Sequence, residues 1–316
     1  MEIITLKMNL LPQYRLKLPE RKEHMKAEYK AAAKINLMLD ILRTLDNGYH
    51  SLFMIMQSVG LYDTVSVETT DDRKITITCS EAALPCDKSN IAYKAAQAFF
   101  DYTKIKNTGI KIHIEKNIPF AAGMAGGSAD GAAVIAALND IFSAGLTLKE
   151  LCAVGVKVGA DVPFCLHGGC ALCEGIGEKL TPAPSAALPL LLVRGNRGIS
   201  TGALFRSLDL GKKPARTCDP SSAMLNALEQ GSPADIAAAL QNDLLPAAVG
   251  FAPEIDRYIA AMQDAGALGA SMTGSGSVVF GIFSDMDSAK RAERAFWDCP
   301  VHIVCETMSR QPFEAH

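Results

Sequence analysis

The chain has 316 residues, of which 49% are hydrophobic and 21% charged, enough to bury a sizeable core and to form two domains. Its 31 Lys and Arg against 34 Asp and Glu leave a net charge of −3, with the basic residues scattered, so neither nucleic acid nor an anionic membrane surface is an expected partner. No apolar run approaches the roughly 20 residues of a membrane span, and residues 1–24 mix Lys7, Arg15 and Lys17 with Glu2, Glu20 and Glu23 and lack the pattern of a secretory signal, so a cytoplasmic location is expected.

Residues 31–42 alternate as a strand, with Ile35, Leu37, Leu39 and Ile41 on one face and Lys34, Asn36 and Asp40 on the other. Asp46-Asn47-Gly48 predicts a hairpin turn, so the segment from Tyr49 to Val59 is expected to return antiparallel, with Tyr49 and His50 beside the turn. A second strand pair is expected within 63–79, on either side of Asp71-Asp72-Arg73. The pattern then predicts a helix over Asn90–Tyr102 and a strand over Gly109–Lys116.

Pro119 opens a glycine-rich segment that gives way to helical spacing at Ile135, Leu138, Ile141 and Phe142, ending near Gly145. Ser128 falls near the expected N-cap and Asp130 in the first turn. A helix over Thr147–Val158 and a loop at Gly159-Ala160-Asp161-Val162-Pro163 follow. The Pro- and Ala-rich run from Thr181 to Leu188 marks a domain boundary, beyond which strands are expected at Leu190–Val193 and Val278–Phe283, and helices around 222–230, 233–242, 253–265 and 287–296. Such an order of elements is α+β.

The nine cysteines are an odd number and read as reduced, mostly buried thiols. Cys165, Cys170 and Cys173 reproduce an iron–sulfur spacing with His167 between the first two, but the next cysteine, Cys218, is far downstream, and packed thiols are the expectation.

Between Pro119 and Ala133, small residues and a helix start leave backbone N–H groups open to an anion. The lysine of a Walker A loop is missing, and neither this segment nor Gly274–Val279 fits the Rossmann fingerprint. Three segments together do fit a known pattern: Ala33-Lys34-Ile35-Asn36-Leu37, the Pro119–Ala133 loop, and Thr273-Gly274-Ser275-Gly276-Ser277 resemble the three motifs of the GHMP small-molecule kinases. With Asn47-Gly48-Tyr49-His50, Gly159–Pro163 and Glu174-Gly175-Ile176-Gly177, the chain from about Met25 onward resembles the 4-diphosphocytidyl-2-C-methyl-D-erythritol kinase family within that group. It departs from the commonest pattern at Met124, where leucine is usual, and at Ala129, where a second serine is usual.

The resemblance implies a two-domain fold, an N-terminal ribosomal-protein-S5-like domain over 25–184 and a C-terminal ferredoxin-like α/β domain over 185–316, with 1–24 as an extension and the active site in the cleft. It implies ATP as phosphoryl donor, with Mg²⁺ expected beside it, and a small-molecule acceptor phosphorylated on its 2-hydroxyl in the non-mevalonate isoprenoid pathway. Lys34 and Asp161 correspond to the catalytic pair. The ATP loop comprises Pro119, Phe120, Ala121, Ala122, Gly123, Met124, Ala125, Gly126, Gly127, Ser128 and Ala129. By the same resemblance Tyr49 and Phe205 cover the two faces of the acceptor's cytosine, His50 bonds its edge, and Asn36 orients the substrate. No carboxylate cluster identifies ligands for Mg²⁺, and either a monomer or a homodimer is compatible with the sequence. Another GHMP kinase, acting on mevalonate, homoserine or a sugar, and a regulator that binds nucleotide without catalysis are the competing readings.

Overall fold

The computed structural model describes residues 24–46, 48–208 and 220–309. Residues 1–23, Asn47 of the expected hairpin turn and Cys218 lie outside them. The long hairpin of β1 (Lys26–Thr44) and β2 (His50–Thr69) is the spine of the first sheet. β2 also pairs with β4 (Ile110–Glu115), which carries β3 (Ile75–Cys79) in parallel, and with β5 (Cys170–Gly175), which carries β6 (Lys179–Pro182). The second strand pair expected in 63–79 does not form: Thr64–Thr69 continues β2, and β3 pairs with β4 instead.

The expected single alternation of β1 is also corrected. Register shifts fall between Ala32 and Lys34, between Asn36 and Met38 and between Ile41 and Arg43, and at the second of these one extra residue on β1 turns the side chains that follow to the opposite face. Ile35, Leu37 and Met38 consequently join the core under the helices, whereas Leu39 and Ile41 join a second core with Leu191, Val193 and Val279.

One face of the first sheet is covered by α1 (Ile91–Thr103), capped by the Asn90 side chain, and by α2 (Gly126–Ile141). The α2 sequence, rich in Ala and Gly, is buried on nearly every side, as expected of a central helix. Gly131 lets it close on α1, since a Cβ there would lie 2.9 Å from Ile91 Cγ2. α3 (Leu148–Val156) starts with a Thr147–Glu150 capping box. The Gly159–Pro163 segment, expected to be only a loop, runs into a short α4 (Val162–His167) because Pro163 occupies a first-turn position that needs no N–H.

The second sheet, antiparallel throughout, has the order β11 (Val301–Glu306), β7 (Pro189–Arg194), β10 (Val279–Ile282) and β9 (Gly269–Met272). The helices that accompany it are α5 (Thr201–Arg206), α6 (Pro220–Gln230), α7 (Pro233–Ala238), α8 (Leu245–Phe251), α9 (Glu254–Asp264) and α10 (Met286–Glu293). The helix expected over 233–242 stops at Ala238. Gln241–Asn242 is instead a two-residue strand, β8, parallel to β1 at Met38 and Leu39. This late segment joins the first sheet and so ties the two halves together. No helix among the described residues is long and apolar enough to cross a membrane.

Candidate active site

A cavity of about 720 Å³ opens between the first sheet, the α2 N-terminus and segments of the C-terminal half that include α5 and the β9–β10 turn. Its wall includes Lys34 and Asn36 from β1, the loop from Pro119 to Ser128, Asp161, Phe205 and the Gly274–Ser275 turn, so residues far apart in sequence converge on one space.

The loop's backbone alternates through the left-handed region at Ala121 (φ 50°), Gly123 (φ 73°) and Ala125 (φ 57°). Two alanines held at positive φ mark a backbone fixed by its surroundings, and such alternation turns successive N–H groups toward one side. At Gly123 the constraint is steric, because a Cβ would stand 2.2 Å from the carbonyl oxygen of Thr273. Ala125, not Ser128, is the N-cap of α2: Gly126 and Gly127 are already helical, and no side chain bonds the first-turn N–H groups. The sequence-based N-cap is corrected on this point, and the helix N-terminus is left open to an anion. Ser128, freed from capping, lies 3.9 Å from where a Cβ on Gly159 would be. Met124 and Ala129, the two departures from the common pattern, are buried in the core, and Phe120 is exposed at the rim.

Lys34 is almost fully buried, and its ammonium donates to Asn36 Oδ1 at 2.5 Å and to the Gly123 carbonyl at 2.7 Å. Burial pushes its pKa down, while the charge of nearby Asp161 opposes that shift. Of three ammonium donors two are engaged, which leaves one for the cavity. Asp161 precedes α4 without making a side-chain cap bond, so its carboxylate is not absorbed by the local role that a Gly-Ala-Asp-Val-Pro sequence most readily suggests.

The expected aromatic group is only partly assembled. Phe205, on α5, lines the cavity and packs on His50 with ring centroids 5.1 Å apart and planes tilted by 35°. Tyr49 is 62% exposed just before β2, and neither it nor His50 is part of the cavity wall.

Sequence reading missed a buried ionic group beneath the loop. Lys116 Nζ bonds Asp63 and, at 2.8 Å, Asp130, while Asp63 Oδ1 accepts from the N–H groups of Asn117 (2.6 Å) and Ile118 (2.8 Å). These bonds fix the chain just before Pro119 to the middle of β2. Burial, reinforced by Asp63, drives the Asp130 pKa up to about 7 even against Lys116, and its Oδ1 has no hydrogen-bond partner. For Lys116 itself the two carboxylates outweigh burial and raise the pKa. Nothing in the spacing of three single charges in separate elements announces such a group. Cys165, Cys170 and Cys173 are buried free thiols, and among the described residues no group of three or more His, Cys, Asp or Glu is arranged to hold a metal ion.

The comparisons with known proteins agree with this architecture. Residues 90–169 match the GHMP kinases N terminal domain and residues 224–299 the GHMP kinases C terminal model. The chain is 46% identical over 267 residues to a 4-diphosphocytidyl-2-C-methyl-D-erythritol kinase of Caldicellulosiruptor saccharolyticus, covering 84% of this chain and 91% of that protein. A Clostridium perfringens protein of the same name is 42% identical over 264 residues, covering 83% and 91%. A crystal structure of 4-(cytidine 5'-diphospho)-2C-methyl-D-erythritol kinase superposes with a TM-score of 0.76 at 29% identity, covering 89% of this chain and 99% of that one. Homoserine kinase from Cytophaga hutchinsonii, at 20% identity and a TM-score of 0.74, shares the fold. With two sheets, an α2 N-terminus opening on the cavity, and relatives of this identity over most of its length, the chain belongs to the 4-diphosphocytidyl-2-C-methyl-D-erythritol kinase family of the GHMP kinases.

Proposed function

We propose that the protein transfers the γ-phosphoryl group of ATP to the 2-hydroxyl of 4-diphosphocytidyl-2-C-methyl-D-erythritol, giving the 2-phosphate and ADP in the methylerythritol phosphate route to isoprenoids. The observation that carries this reading is the convergence of Lys34, the open α2 N-terminus and Asp161 on one cavity. Residues 25–184 supply the nucleotide loop and the catalytic pair, and residues 185–316 close the cleft with Phe205 and the Gly274–Ser275 turn.

In the proposed cycle the phosphates of ATP lie on the Pro119–Ala129 loop, bound by its N–H groups and the positive end of the α2 dipole. The acceptor hydroxyl oxygen forms a bond to the γ-phosphorus, the bond from phosphorus to the bridging oxygen breaks, and ADP leaves with that electron pair. Asp161 orients the hydroxyl and takes its proton, and Lys34 directs its remaining N–H at the transferring group, where negative charge concentrates. Phe205, on the cavity wall, gives cytosine one face, and Tyr49 and His50, which stand outside the wall, have to turn in to cover its other face and bond its edge, with Asn36 orienting the methylerythritol end. A Mg²⁺ brought in with ATP would find the Ser128 hydroxyl on the cavity wall as its ligand from the chain. When bound, Mg²⁺ would neutralise phosphate charge.

The test is ADP release from purified protein with ATP and Mg²⁺, supplied in turn with the diphosphocytidyl acceptor, mevalonate, homoserine and no acceptor. Turnover with the first alone is expected. Turnover with mevalonate or homoserine instead would replace the acceptor assignment, and ATP binding without ADP release for any acceptor would sink the kinase reading.

A further inference from the structure

Thr273 stands in the turn between β9 and β10, in the other half of the molecule from Lys34, and is fully buried. Its Oγ1 accepts from the Asn36 N–H at 3.1 Å and lies 3.2 Å from the Gly123 carbonyl oxygen and 3.5 Å from Asn36 Oδ1. Those last two oxygens are the same ones that hold the Lys34 ammonium. The hydroxyl has one proton, and the Gly123 oxygen is its nearer acceptor, so Thr273 links the Asn36 N–H to the carbonyl that also holds Lys34, in a buried polar cluster with one member from the nucleotide loop, two from β1 and one from the C-terminal turn.

The turn is itself held on both sides of Thr273. Its N–H donates to Val278 O at 3.0 Å, and the Asn242 side chain donates to Met272 O at 2.7 Å and Gly274 O at 2.9 Å. Asn242 sits on β8, paired with β1 at Leu39. Asn36 is less well fixed. It stands at the register shift of β1, its N–H goes to Thr273, and its amide nitrogen has only a sulfur contact, Met54 Sδ at 3.5 Å. Without the Thr273 hydroxyl, the Asn36 N–H loses its acceptor and the Gly123 carbonyl loses a donor, so both oxygens that hold the Lys34 ammonium can shift with it.

We infer that Thr273 is a positioning residue for phosphoryl transfer: its hydroxyl fixes Asn36 and the Gly123 carbonyl so that the Lys34 ammonium keeps its third donor aimed into the cavity. The inference rests on the kinase reading above. An ammonium displaced by about 1 Å still attracts phosphate, because charge acts over distance, but it no longer matches the transition state, so the loss falls on turnover rather than on ATP affinity.

Thr273→Val keeps the shape and removes the hydroxyl, whereas Thr273→Ser keeps the hydroxyl. With ATP and the diphosphocytidyl acceptor, Thr273→Val is expected to lower kcat by about 10- to 100-fold with KM for ATP within about threefold, and Thr273→Ser to stay within about threefold of the parent in kcat. Thermal unfolding of each variant separates stability from positioning, and Thr273→Ala provides the same comparison should the valine variant not fold. The inference is overturned by a kcat within about twofold of the parent in Thr273→Val, by a serine variant as impaired as the valine one, or by Val and Ala variants that both fail to fold while Ser folds. A parent protein that releases no ADP overturns the kinase reading itself, a result distinct from an active parent that is indifferent to the hydroxyl.

Discussion

Lys34 shows how burial and partners decide what a side chain can do. An ammonium removed from water is costly, and here the carbonyl of Gly123 and the amide oxygen of Asn36 replace part of its hydration while Asp161 supplies the opposing charge. Lys34→Met nearly keeps the volume, one atom shorter, and removes the charge. It is expected to lower kcat by at least about 100-fold, with KM for ATP changed by less than about threefold, because the loop's N–H groups still bind the phosphates. Asp161→Asn keeps the shape but cannot take a proton, and a loss of about 10²- to 10⁴-fold in kcat is expected from initial rates at saturating substrates. Unchanged turnover in either variant would remove that residue from the mechanism. Lys34 and Asp161 stand out as candidates in the sequence only through the order of motifs around them, since a lone lysine on a strand and an aspartate between glycine and proline have ordinary structural explanations. Lys116 and Asp63 had no motif to report them, and their pairing follows from a sheet register that no local pattern encodes.

At the scale of elements, the loop and α2 act as one unit pressed against the β9–β10 turn. The turn's carbonyl at Thr273 lies where a Cβ on Gly123 would be, and Val278 N–H reaches Ala122 O at 3.4 Å, so backbone meets backbone there without side chains to yield. Gly123→Ala combines a left-handed φ with that collision, and a destabilisation of about 2–4 kcal/mol is expected in urea titration, together with a raised KM for ATP as the loop moves off the turn. A variant with parental midpoint and KM would show that the contact is slack. Strands and helices with clear alternation or caps, such as β4 and α1, matched their sequence patterns. The misses have physical causes: bulges reset the facing of β1 after Asn36, Pro163 started a helix rather than ending a loop, and Gln241–Asn242 became a strand because β1 offered it an edge.

The whole molecule is organised so that the cavity rests on groups from both halves, yet a buried group of three charges beneath it comes from the N-terminal half alone. Asp63, Lys116 and Asp130 place two carboxylates and one ammonium in a buried layer between β2, the start of the loop and α2. With both carboxylates ionised the group would carry a net negative charge away from water, and Asp130, whose Oδ1 has no partner, is the member whose pKa rises, to about 7. The sign of the consequence follows from proton binding. Unfolded, Asp130 titrates near its ordinary value of 3.8, so between about 4 and 7 the folded protein holds a proton that the unfolded chain has released. Stability contributed by this group is therefore complete at the acid end of that window and is lost as pH rises through it. Asp130→Asn fixes the neutral state and still offers an oxygen to Lys116, whose charge remains paired with Asp63. Urea midpoints of the parent and the variant, measured from pH 4.5 to 7.5, should converge at the acid end and separate in favour of the variant as pH rises. Midpoints that run parallel across the window would show that Asp130 is already ionised in the folded protein, with water reaching the oxygen that the structure leaves without a partner.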